Sequence, residues 1–284
     1  AYFFVSDPDA VGVFVQGDWA AGMAMCSSLG RFRATQDGLD SQYQFLETER
    51  LREVVVATLA KAGADIIVAS RKLEACEAVC EEVRACGRRA VAIAAHAGDC
   101  ASLDALISQA LEAMGKVDIL INNAGITPAF GELSALEPAM FDKMVDVNLK
   151  GPWYLASRLA PHMAKSGGGS IINVISVSGL KPSALMGFYA TTKAALNAMT
   201  KVMAAEWADK NIRVNALAPG TYLTDMVKNS FQVPGFEEAT LQSNLQKRIA
   251  DADEILGPVL YLASDLGRYT TGSTVVADGG FMVL

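Results

Sequence analysis

The sequence predicts an α/β fold, a single doubly wound domain over residues 1–284 with a central parallel sheet flanked by helices. Three observations predict it. From residue 51 onward, apolar runs of strand length alternate with segments of helical periodicity, which is the pattern of βαβ units. These runs are apolar at nearly every position, as strands covered on both faces must be. Asn123, Ser176 and Pro219-Gly220 each stand just past such a run. A parallel sheet gathers them on one edge, where this architecture binds its ligands.

The elements follow in order from local signals. Val11-Gly-Val-Phe-Val15 has a strand-like start, and Leu51 to Lys61 is apolar at helical spacing and closes at Gly63. Ala64 to Ala69 is a strand, Lys72 to Cys86 a helix stopped by Gly87, and Ala90 to Ala95 an Ala-rich strand. Ser102 is the expected N-cap of a helix reaching Met114, with Gly115 ending it. Val117 to Ile121 is the next strand. One long helix is expected from Pro138, a residue suited to a first helical turn, to about Lys165. Gly167-Gly-Gly-Ser170 reads as a turn into the strand Ile171 to Ile175. A helix over 187–209 and strands at Ile212 to Leu217 and Thr274 to Ala277 complete the chain.

Composition narrows the function. With 24 Lys and Arg against 31 Asp and Glu, the net charge of −7 argues against nucleic-acid or anionic-membrane surfaces. No uncharged apolar stretch reaches the ~18 residues of a spanning helix, and the N-terminus lacks a basic region followed by an apolar one. A cytoplasmic protein is the expectation. The 5 cysteines contain no Cys-x-x-Cys and read as reduced, packed thiols. Only His96 and His162 are present, too scattered for a zinc site, so no metal is expected.

The chemistry concentrates around Tyr189 and Lys193, four residues apart and therefore one turn apart on a helix face. An ammonium beside a phenol favours the phenolate, so Lys193 is expected to lower the Tyr189 pKa towards neutrality. A tyrosine tuned in this way exchanges a proton with a carbonyl or alcohol oxygen. Ser176, at the end of its strand, is placed to hold that oxygen, and Ser178 is the fallback. After the second strand comes Ala69-Ser70-Arg71-Lys72. Where an NAD site usually carries an acid, Ser70 and Arg71 suit a 2′-phosphate instead.

Asn122-Asn123-Ala124-Gly125, Asp146-Val-Asn148, Ser176, Tyr189 with Lys193, Asn211 to Gly220 and Asp278-Gly-Gly280 occur in one order. Together they resemble the short-chain dehydrogenase/reductase family, over residues 51–284. The resemblance implies a Rossmann-type fold and hydride transfer between a nicotinamide cofactor and a ketone or secondary alcohol. It gives Tyr189, Ser176, Lys193 and Asn148 the catalytic roles of proton donor, carbonyl holder, ribose and pKa partner, and support of a water chain. It places Ser70, Arg71, His96, Asn123, Ala124, Gly125, Tyr189, Lys193, Pro219, Gly220, Thr221 and Thr224 at the cofactor. NADP(H) is preferred, with NAD(H) possible. The stretch from Ile126 is similar to broad-specificity carbonyl reductases, then to 3-oxoacyl reductases. The apolar loops 179–187 and 221–235 favour a hydrophobic small-molecule substrate, and the helices at 138–165 and 187–209 imply a homotetramer or homodimer.

Residues 1–50 depart from the family. Its glycine-rich pyrophosphate turn belongs about ten residues before Ala60, and no glycine stands there. The nearest candidates are Gly17 and Gly22, with Ala24 where a third glycine belongs. A distorted turn followed by an insertion, a lid or partner-binding arm, and a segment foreign to the fold are all open readings. The first leaves an enzyme. The others leave room for a non-catalytic scaffold with impaired cofactor binding.

Overall fold

The computed structural model describes residues 10–16, 50–127, 132–184, 186–223 and 235–284. Seven strands form one sheet, ordered β3-β2-β1-β4-β5-β6-β7. They are β1 (Ala10–Gln16), β2 (Asp65–Ser70), β3 (Ala90–Ala94), β4 (Ile119–Asn122), β5 (Gly169–Val174), β6 (Ile212–Pro219) and β7 (Thr274–Ala277). Between them run α1 (Arg50–Lys61), α2 (Leu73–Ala85), α3 (Cys100–Met114), α4 (Pro138–Val145), α5 (Gly151–Lys165), α6 (Gly187–Trp207), α7 (Phe236–Gln242) and α8 (Leu256–Ala263).

The strands are largely apolar because both faces of the sheet are covered. On β2, Ile66 and Val68 join one core with Leu59 of α1, Val79 of α2 and Leu262 of α8. Ile67 and Ala69, pointing the other way, join a second core with Leu106 of α3, Leu159 of α5 and Met203 of α6. The period of two thus delivers alternate side chains of one strand to two cores. Each buried Leu or Ile contributes about 1.5–3 kcal/mol.

A buried polar line crosses the second face. Asn122 and Asn173 are register partners on β4 and β5. The Asn122 amide donates to Asn173 Oδ1 at 2.8 Å, and Asn173 donates to Thr200 Oγ1 on α6 at 2.9 Å. Thr200 in turn donates to the Leu196 carbonyl at 2.8 Å.

Three features differ from the expectations. First, Asp99 rather than Ser102 caps α3: its carboxylate accepts from the Ser102 N–H. The Ser102 hydroxyl instead accepts from the His96 N–H at 2.8 Å, tying the cap to the end of β3. Second, the long helix from Pro138 is interrupted by a π-helical turn, Asp146–Lys150, before α5 starts at Gly151. Third, β1 lies antiparallel to both β2 and β4, while every other pair is parallel. A central strand satisfies its backbone in either direction, so its connections decide which way it runs.

The reversal carries Gln16 to the start of β2, opposite Asp65, and leaves Ala10 opposite Ser70. The chain after β1 therefore leaves from the edge opposite to the one that carries Ser176.

Candidate active site

Ser176, Tyr189, Lys193 and Asn148 converge at the carboxyl ends of β4 and β5, and all four are buried. Ser176 follows β5 in extended conformation and caps the turn Val177–Gly179, its hydroxyl accepting from the Ser178 N–H at 3.1 Å. Ser178 itself is buried, and its hydroxyl has no partner among the described residues. Helix α6 turns Tyr189, Thr192, Lys193, Leu196 and Thr200 inward, the face that spacings of three and four predict. The Tyr189 phenol is hydrogen-bonded to the Ser176 side chain. Lys193 donates from Nζ to the Val174 carbonyl at 2.9 Å and stands 5.8 Å from the Tyr189 ring centroid. The last carbonyl of β5 thus fixes the ammonium over the aromatic face.

Asn148 sits in the π-helical turn, a local widening that often marks functional sites. Its Oδ1 accepts from the Ile126 N–H at 2.7 Å. Its amide donates to the Ile126 carbonyl at 2.8 Å and to Thr192 Oγ1 at 3.1 Å. Thr192 passes the link on, donating to the Tyr189 carbonyl at 2.7 Å. Asn148 therefore joins the segment after β4 to the helix that carries the tyrosine. Gly125 leaves the space between them: a Cβ there would stand 3.1 Å from Lys193 Nζ and 3.7 Å from Asn148 Oδ1.

The electrostatics differ from the sequence expectation. Burial raises the Tyr189 pKa above its ordinary value, and the hydrogen bond from Ser176 offsets only part of this. Burial also lowers Lys193, to about 8. Burial of the phenol thus outweighs any pull from Lys193, whose own charge is poorly solvated. Tyr189 is accordingly a neutral phenol.

The remaining candidates fall in three places. At the end of β2, the Ser70 hydroxyl is buried and turned inward, donating to the Lys72 carbonyl at 3.2 Å and lying 3.1 Å from Cys76 Sγ. Arg71 beside it is exposed. Past β3, His96 is committed to its own turn, with Nδ1 accepting from the Gly98 N–H at 3.1 Å. Past β4, Asn123 is half-buried, Ala124 buried and Gly125 placed as above. Pro219 ends β6, and Gly220 abuts Asp278, whose Cα would lie 2.6 Å from an added Cβ. Thr221 is buried beside a cavity between the ends of β6 and β7. Gly17, Gly22 and Thr224 lie outside the described residues.

For a nicotinamide dinucleotide, Arg71 offers a cation beyond β2, whereas at Gly125 even an added Cβ would meet Lys193 Nζ at 3.1 Å. Sequence reasoning missed Thr192, although its position three residues after Tyr189 on the same face was the available signal.

A family model described as enoyl-(acyl carrier protein) reductase matches residues 53–282. The chain is 34% identical over 249 residues to bovine (Bos taurus) dehydrogenase/reductase SDR family member 4, covering 87% of this chain and 89% of that protein. It is 37% identical over 204 residues to L-rhamnose 1-dehydrogenase (NAD(P)(+)) of Azotobacter vinelandii, covering 72% of this chain and 79% of that one. Among solved structures, a Burkholderia cenocepacia gluconate 5-dehydrogenase in complex with NADP and tartrate superposes with TM-score 0.77 at 31% identity. That match covers 82% of this chain and 91% of the other.

Proposed function

The chain belongs to the short-chain dehydrogenase/reductase family and is an oxidoreductase acting on CH–OH and C=O groups, and from that premise we propose that it reduces ketones with NADPH. The buried Ser176–Tyr189–Lys193 group, held by the Val174 carbonyl, carries the reading. A bound nicotinamide supplies or accepts the hydride. Ser176 donates a hydrogen bond to the carbonyl oxygen and fixes its position. As the hydride reaches carbon, Tyr189 gives its proton to that oxygen, and the Lys193 ammonium stabilises the phenolate left behind. Asn148 and Thr192 hold the tyrosine helix against the strand ends. Tyr189 is protonated at neutral pH, as a proton donor in the reductive direction must be.

Lys193 sets the alkaline limit. Its ammonium is present below about 8 and lost above it, while Tyr189 stays protonated. The reductive kcat is expected to be flat below pH 8 and to fall as pH rises through that value. A flat kcat profile up to pH 10 would remove Lys193 from this role. Stability moves the opposite way. Between about 8 and the ordinary 10.5, the unfolded chain binds the proton more tightly, so the Lys193 contribution to stability improves with rising pH.

Cofactor choice rests on Arg71 alone, since Ser70 is turned inward. Arg71→Ala is expected to weaken NADPH binding by about 10–100-fold, the loss of one charge-assisted contact, and to leave NADH binding unchanged. Fluorescence titration with both nucleotides checks this. Equal losses for the two would mean that Arg71 does not contact the 2′-phosphate.

Phe141, Trp153 and Val202 are exposed on α4, α5 and α6. They support assembly of a homodimer or homotetramer through these helices. Among the described residues, Cys76, Cys80, Cys86 and Cys100 form no disulfide, which supports a reducing, cytoplasmic setting. No helix among the described residues is long and apolar enough to cross a membrane.

A further inference from the structure

The turn Phe281–Val283 stands as a fixed bracket on the ends of β6 and β7. Asp278, the first residue past β7, uses both carboxylate oxygens to build it. One accepts from the Gly280 N–H and the other from the Met282 N–H, each at 2.8 Å. The Asp278 backbone is wedged against Gly220, whose own N–H donates to the Ala277 carbonyl at 2.8 Å. Phe281 is therefore presented from a firm base, half-buried, at the sheet edge that carries Ser176.

Across from it lies Lys181, in the segment that leads from Ser176 to α6. Lys181 Nζ stands 5.1 Å from the Phe281 ring centroid and donates to the Phe281 carbonyl at 3.5 Å. One residue thus offers the ammonium both a ring face and a carbonyl lone pair. The segment is held on two sides. On its inner side, Gly179 packs so closely on α6 that a Cβ would stand 2.8 Å from the Lys193 carbonyl carbon. On its outer side is the Phe281 contact, made by the residue whose N–H closes the turn on the Val177 carbonyl at 2.8 Å. Lys181, Pro182, Ser183 and Ala184 are all exposed, so little packing fixes this stretch. A contact of modest strength weighs more there than it would in a core.

We infer that Phe281 is a positioning residue for ketone reduction: it holds Lys181, and through Lys181 the outer side of the turn that begins at Ser176. The inference rests on the ketone-reductase reading, since it acts through the serine that fixes the carbonyl oxygen.

Hydrogen exchange and steady-state kinetics on the full chain test it together. Phe281→Leu keeps an apolar side chain and the carbonyl but removes the ring. Lys181→Met keeps the length and removes the charge. Each is expected to speed amide exchange over 177–184 and to lower ketone kcat/KM by about two- to fivefold, the worth of an exposed cation–ring contact. NADPH affinity and the alkaline limit at about pH 8 should stay at the parent values. Phe281→Tyr and Lys181→Arg keep ring and charge and should match the parent. The double variant should be no worse than Lys181→Met alone, because both changes remove one contact. A turn that only added stability would lower the melting temperature and leave the kcat/KM of the folded protein unchanged. Unchanged kcat/KM in Phe281→Leu would overturn the inference, whatever the exchange rates do. So would an impaired Phe281→Tyr, or losses that multiply in the double variant. If the parent reduces no ketone, the ketone-reductase reading fails, and the exchange rates alone decide whether Phe281 holds the serine turn.

Discussion

Tyr189→Phe is expected to lower the reductive kcat by about 10²–10⁴-fold, the usual worth of a positioned proton donor, while nucleotide affinity stays close to the parent value. The substitution removes one oxygen. The ring stays packed with Met144 and Met186 and under Lys193 Nζ, so neither the core nor the ammonium loses its neighbour. What disappears is the hydrogen bond to Ser176 and, in the proposed reaction, the proton given to the substrate oxygen. Losing a buried hydrogen bond costs about 1 kcal/mol, too little to unfold a domain of this size. Single-turnover kinetics with a saturating ketone separate the chemical step from binding. A kcat within threefold of the parent would place the proton donor elsewhere and dismantle the proposed mechanism.

Gly151→Ala should be the most damaging single methyl group in the site's framework. A Cβ at Gly151 would stand 2.0 Å from the Ala97 carbonyl oxygen, and backbone cannot yield as a flexible side chain does. The carbonyl belongs to the segment after β3 that His96 and Gly98 fold tightly. The expected cost is at least about 3 kcal/mol, the upper end for overpacking. That lowers the melting temperature by roughly 6–12 °C. Because Gly151 follows the π-helical turn directly, the displacement should also loosen Asn148 from Ile126, and kcat should fall in whatever fraction still folds. Gly257→Ala is the control: nothing lies within 4 Å of its added Cβ, and a helical glycine replaced by alanine is expected to gain about 0.5–1 kcal/mol. Equal melting temperatures for Gly151→Ala and the parent would show that the π turn tolerates a side chain.

Much of the site was legible in the sequence because it depends on local spacing. Tyr189 and Lys193 share a helix face whatever the rest of the chain does, and a strand of Ile171-Ile-Asn-Val ends where Ser176 must begin. The alternation of strands and helices likewise carries its own signal. The rest depends on contacts that no local pattern records. The π-helical turn arises where the helix meets Ala97 and Ile126, so Asp146–Lys150 looks like ordinary helix in the sequence. Asp99 and Ser102 are both good capping residues, and only the position of His96 decides between them. The direction of β1 cannot be read from Val11-Gly-Val-Phe-Val15, because an apolar strand has the same composition whichever way it runs. The behaviour of Tyr189 was misjudged because charge proximity can be read from spacing, whereas desolvation follows from burial in three dimensions.

The Asn122–Asn173–Thr200 line has a consequence for how the chain finds its fold. In a sheet of Ile, Val and Leu, many alignments of β4 on β5 bury similar oily area, so hydrophobicity alone discriminates poorly between correct and shifted pairings. A shift of one residue would turn Asn173 to the opposite face and maroon its amide in hydrocarbon. A shift of two would part it from Asn122 by about 7 Å. Each error strands several polar atoms at ~1–3 kcal/mol apiece. The line thus serves as a proofreading key for assembly, rejecting near-miss sheets that would otherwise be almost as comfortable as the native one.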